Sequence, residues 1–159
     1  MNNLCQTAEN IYYGLLWGLC TVKDCVMFAD DMINTLDSVP YPIIELSLST
    51  TTTSAMNAIK PLITTSNKFE VYRFVLGRMH YLGLQEPERL VHFANLLFQE
   101  AITMEYKIPD EFELFTMDHE YEIADVLGNN YENANHDFLQ ALLAFRKENS
   151  HSPDWFAVN

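Results

Sequence analysis

Apolar residues recur along the chain at spacings of three and four, with little strict alternation, which is the pattern of helices that each bury one face. The expectation is an all-α protein of about six to eight helices. It would form a single compact helical domain over residues 1–159, in which successive helix pairs leave room for a stacked arrangement. The first helix is predicted over residues 7–20, with Ile11, Leu15 and Gly18 on one side and Tyr12, Leu16 and Leu19 beside them. Gly14 and Gly18 would permit a close helix crossing. At Thr21 the order Thr-Val-Lys-Asp fits a cap: the hydroxyl accepts from an early backbone NH, and Asp24 sits near the positive helix end. A second helix therefore starts there, buries Val22, Val26, Ala29, Ile33 and Leu36, and stops at SVPYP, residues 38–42.

A short helix over 42–48 follows, then the run STTTTS at 49–54, read as a loop whose last hydroxyls cap AMNAIKPLI. Pro61 should shorten or bend that element. Ser66 is placed to cap a helix over 68–82 that packs through Phe69, Tyr72, Leu76 and Met79, with Gly83 suited to its left-handed end. Pro87 fits a first turn, and Leu90, Phe93, Ala94, Leu97 and Ala101 mark the inner side of a helix reaching about residue 106. Residues 110–127, ended by Gly128, and 131–147, carrying Phe138, Leu139, Leu142, Leu143 and Phe145, complete the set. The tail over 149–159 is expected to be irregular, with Trp155 and Phe156 available to pin it.

A chain of 159 residues can bury about 70% of its unfolded surface without metal or disulfide support. Its 22 acidic and 9 basic residues give a net charge of −13. Nucleic acid and anionic membrane are therefore poor partners, since phosphate contacts require clustered Lys and Arg, and a basic protein partner is the better match. The N-terminus lacks a signal-peptide pattern and no apolar run approaches a spanning helix, so the expected location is cytoplasmic.

The charge is localised. Residues 100–137 hold 11 acidic side chains against the single Lys107, so −10 of the total lies in under a quarter of the chain. On an ideal helix Glu111, Asp118, Glu122 and Asp125 fall within a sector of about 60°. Glu113 and Glu120 lie on another edge. Phe112, Phe115, Ile123 and Val126 form one apolar side and Leu114, Met117, Tyr121 and Ala124 the other, so this helix is either sandwiched or broken near Thr116. Like charges four residues apart cost a few tenths of a kcal/mol, so helix stability does not favour them. A solvated face and a surface for a basic partner both fit. On the second reading Glu111, Asp118, Glu122 and Asp125 are the centre, with Glu113, Glu120, Glu132 and Asp137 at the margins.

Phosphate-cradle, nucleophile-elbow and zincin motifs do not occur. Glu88 with His92 and Glu132 with His136 stand four apart, and Glu148 with His151 has Glu-x-x-His spacing only in the tail, so neither a metal nor another cofactor is expected. Cys5, Cys20 and Cys25 form an odd set without CxxC spacing, and the last two read as core fillers. Tyr12, Tyr13 and Trp17 read as packing residues.

LWGL, a helix opened by Val and Asp and containing FADDMI, and a Pro followed by IIELSLS lie within residues 16–49. This segment resembles the N-terminal part of small acidic helical bacterial proteins that include immunity proteins of toxin-immunity systems, contact-dependent growth inhibition being the best-known setting. The resemblance implies a non-enzymatic role, binding and neutralising a cognate toxin in the cytosol of the producing cell, and carries over no individual residue. It agrees with the charge distribution, because a nuclease toxin needs a positive cleft that an acidic inhibitor can cover. A helical adaptor with an apolar groove is the alternative, and a small helical enzyme the third reading.

Overall fold

The computed structural model describes residues 2–103, 112–128, 130–145, 150–152 and 154–157. Among them the chain is all-α, with eight α-helices and no strand. These are α1 (Asn2–Leu16), α2 (Val22–Thr35), α3 (Tyr41–Ser47), α4 (Thr52–Ile59), α5 (Lys68–Gln85), α6 (Leu90–Thr103), α7 (Phe112–Val126) and α8 (Glu132–Leu143). Short 3-10 turns at Lys60–Leu62 and Pro87–Arg89 follow α4 and precede α6. Two compact units divide the chain, residues 1–75 with 148–159 and residues 76–147, the boundary falling inside α5.

In the first unit α2 packs on α3, α3 on α4 and α4 on α1. The α1 helix starts earlier and ends sooner than the spacing predicts. Gly18, at φ +67°, closes it: the Leu19 NH donates to the Gly14 carbonyl at 2.7 Å and the Gly18 NH to that of Leu15 at 3.3 Å. This pair of bonds satisfies carbonyls that a helix end leaves open. Gly14 serves closeness of another kind, since a Cβ there would meet the Cys20 sulfur at 2.9 Å and the Trp155 ring at 3.0 Å. Its neighbours are thus a turn and the tail.

The Thr21 cap is reciprocal. The Asp24 NH donates to Thr21 Oγ1 at 3.2 Å and the Thr21 NH to Asp24 Oδ2 at 2.8 Å. Cys25 and Ala29 are the buried centre of α2, while Leu36 is exposed, because α2 stops one residue before it. The threonine run is partly helical: Thr51 is the cap, Ser54 completes the same reciprocal bonding, and α4 begins at Thr52. Pro61 lies in the 3-10 turn that ends this element. Ser66 does not cap α5. Its hydroxyl donates to the buried Glu9 at 2.5 Å, and Asn67 accepts from the Glu70 NH at 3.4 Å instead. In the tail, Trp155 and Phe156 are buried, Asn10 donates to the Phe156 carbonyl at 2.9 Å, and the Phe28 and Phe156 rings meet edge to face at 5.4 Å.

In the second unit α6 packs against α7 and α8, and α7 against α8. Leu76, Met79, Leu90, Phe93, Ala94, Leu97, Met117, Tyr121, Phe138 and Leu142 are buried. Phe69, expected to pack, lies on α5 in the first unit and is half exposed. Gly83 is not a helix end, because α5 continues to Gln85. A Cβ at position 83 would meet Leu90 Cδ2 at 2.4 Å and Leu139 Cδ2 at 3.3 Å. The glycine is thus a place where α6 and α8 side chains touch the backbone of α5. Gly83→Ala is expected to cost about 1–3 kcal/mol through overpacking. Leu90→Val in that background should recover part of the loss in urea unfolding, an interaction energy absent if the two changes simply add.

Candidate partner-binding surface

The acidic helix α7 is continuous through Thr116 and has one described buried side. Met117 and Tyr121 are buried, whereas Ile123 and Val126 on the opposite apolar side are 39% and 87% exposed. The Tyr121 hydroxyl donates to Asn135 Oδ1 at 2.7 Å, and its ring meets Tyr131 edge to face at 5.3 Å and Phe138 at 6.4 Å. A buried phenol requires such a partner, and this one comes from α8. The docking of α8 on α7 therefore fixes which carboxylates face outward.

With Tyr121 inward, a rotation of about 100° per residue sends Asp118, Glu122 and Asp125 to one flank of α7 and Glu120 to the other. On the first flank Glu122 and Asp125 are exposed and Asp118 is half-buried. His119 Nδ1 lies 3.6 Å from Glu122 Oε2, and the Tyr131 hydroxyl donates to Asp125 Oδ1 at 2.5 Å. That bond raises the pKa of Tyr131, because ionising the phenol would set two negative oxygens together. Glu113 lies in the first turn of α7, and its side chain is outside the described residues, as is all of Glu111. Glu132 opens α8 and is exposed at the positive helix end.

On the second flank a cleft of about 510 Å³ lies between α7 and α8. Glu120 and Asp137 stand on its walls with Asn130 and Asn133, and Ile123, Ala124, Leu127 and Ala134 supply its apolar surface. The structure thus brings together two carboxylates that the sequence placed at the margin, and it sets the central strip on the far flank. From Phe112 to Leu143 there are seven acidic residues and no Lys or Arg, so these helices supply no compensating cation of that kind. Gly128, at φ +64°, closes α7 at the mouth of this cleft, where the negative end of the helix dipole adds to the same potential.

Leu127 is 65% exposed and, with Ile123, gives the acidic walls an apolar lining. A lysine or arginine is shaped for such a place, its charge meeting the carboxylates while its methylene stem covers the apolar surface. Sequence reasoning missed this apolar component. The available signal was the pair Ile123 and Leu127, four apart, ahead of Gly128. Among the described residues no three His, Cys, Asp or Glu side chains converge as a metal site would need, and no helix is long and apolar enough to cross a membrane.

No protein-family model, curated protein or solved structure matches the chain.

Burial also raises the pKa of Tyr121 above its ordinary value of 10.0. Both tyrosines are neutral when protonated, so the folded chain holds these protons more tightly than the unfolded chain does. Their contribution is complete below about pH 10 and is lost as the pH rises through the raised folded values. Urea midpoints followed from about pH 8 to about pH 12 should fall steeply in the upper part of this range. Tyr121→Phe should flatten that fall while costing about 1 kcal/mol at neutral pH for the lost hydrogen bond. An unchanged alkaline slope in Tyr121→Phe would show that this phenol is not the group responsible.

Proposed function

We propose that this chain is a non-catalytic binding protein that receives a basic protein partner at the α7–α8 face. The partner is a cationic, nuclease-type toxin domain, and the chain neutralises it by steric and electrostatic blockade, the role of an immunity protein in a toxin-immunity system of the contact-dependent growth inhibition kind. The observation that carries this reading is the cleft holding Glu120 and Asp137 on two helices without Lys or Arg. Asp118, Glu122 and Asp125 extend the negative surface round α7, and Glu132 extends it at the start of α8. An inhibitor of this kind needs no reaction of its own. It needs a field that draws in a positive cleft and a surface that stays there once docked.

The exposed Ile123, Val126 and Leu127 favour a second reading, a helical adaptor that holds its partner mainly through apolar contact. Salt separates the two. Mixed with the basic toxin domain encoded beside it, the chain should form a 1:1 complex whose association slows at least about tenfold between low and physiological ionic strength. Replacing Glu120 and Asp137 together by Lys should weaken the complex about a hundredfold. A complex indifferent to salt and to that double reversal, yet lost in Leu127→Ser, would replace the electrostatic reading by the adaptor.

A further inference from the structure

Two of the three cysteines lie against each other within the first unit. Cys20 and Cys25 have their sulfurs 3.8 Å apart. Cys20 is half-buried in the turn that follows Gly18, and Cys25 is fully buried on the first turn of α2. We propose that this pair is a modification site, closing a reversible intramolecular disulfide when the chain meets a hydroperoxide.

The turn already holds the sulfurs in register. A Cβ on Gly14 would stand 2.9 Å from the Cys20 sulfur, so that sulfur is seated over α1 with little room on that side. The Thr21 and Asp24 bonds fix the start of α2 between the two cysteines. A disulfide brings sulfurs to about 2.05 Å, so they must close by somewhat under 2 Å. Cys20 is the less enclosed of the two, half-buried where Cys25 is fully buried, and its NH donates to the Gly14 carbonyl at 3.4 Å.

The chemistry divides by exposure. The Cys20 thiolate attacks the outer peroxide oxygen; an S–O bond forms, the O–O bond breaks, and the alkoxide leaves and takes a proton as alcohol or, from hydrogen peroxide, water. The Cys25 sulfur then attacks the sulfur of this sulfenic acid. The S–S bond forms, the S–O bond breaks, and hydroxide leaves with the Cys25 proton as water. The two thiols lose two electrons, which the peroxide takes up, and a dithiol reverses the change. Cys5 stands apart in its surroundings, its thiol donating to the Thr65 carbonyl at 3.2 Å with Thr64 and Thr65 hydroxyls around it, and it has no part in this bridge.

The test is to treat the reduced full chain with hydrogen peroxide, block remaining thiols by alkylation, and map the products by peptide mass spectrometry. The expected product is one intrachain Cys20–Cys25 cross-link that forms equally in Cys5→Ser and disappears on treatment with dithiothreitol. Cys25→Ser should instead accumulate sulfenic acid at Cys20. Sulfinic acid at Cys20 without a cross-link in the wild-type chain would overturn the proposal, as would a bridge to Cys5 or between two chains.

Discussion

The organisation of the acidic face depends on one buried phenol. Tyr121 has its ring in the interior, and its hydroxyl needs a hydrogen-bond partner there. Asn135 supplies it from the first turn of α8, so a single bond of 2.7 Å fixes both the rotation of α7 and the position of α8 along it. The helical period does the rest. With residue 121 inward, Asp118, Glu122 and Asp125 must share one flank and Glu120 must take the other. The Tyr131 bond to Asp125 ties the same corner a second time, with the Tyr131 ring set edge to face on Tyr121.

Where the fold was legible in sequence, the signal was local and chemical. Thr21 with Asp24 predicts a helix start because both reciprocal bonds form within four residues, and they do. Gly128 predicts an end, and its left-handed φ provides it. Glycine also serves a second purpose that looks identical in sequence. Gly18 ends a helix, while Gly83, expected to do the same, stays inside one and admits the side chain of Leu90. Only the packed neighbours distinguish these cases. Ser66 and Asn67 divide for the same reason: both can cap α5, but the serine hydroxyl is drawn to Glu9, a residue 57 positions away.

The acidic density of residues 100–137 was legible because it is a count, and counts need no geometry. The cleft was not. Its carboxylates, Glu120 and Asp137, come from two helices whose relative placement is set by Tyr121 and Asn135, a bond that no spacing rule announces. The two apolar sides of α7 likewise have different fates. Met117 and Tyr121 are interior, whereas Ile123 and Val126 remain outside. Hydrophobicity alone gave both sides equal claim to the core.

The two flanks of α7 are also unequal in how their charge is held. Asp125 sits in the last turn of its helix, where the dipole disfavours a carboxylate by about 0.3–1 kcal/mol. The hydroxyl of Tyr131 offsets that cost by donating directly to it. Part of the predicted strip therefore serves the junction of α7 and α8. Glu120 and Asp137 have no Lys or Arg on their own helices, and their field extends outward over a distance that salt limits to about 8 Å under physiological conditions. On the proposed reading the surface divides its labour accordingly. The carboxylates set how fast a basic partner arrives. The apolar lining of Ile123 and Leu127, which salt does not screen, sets how long it stays.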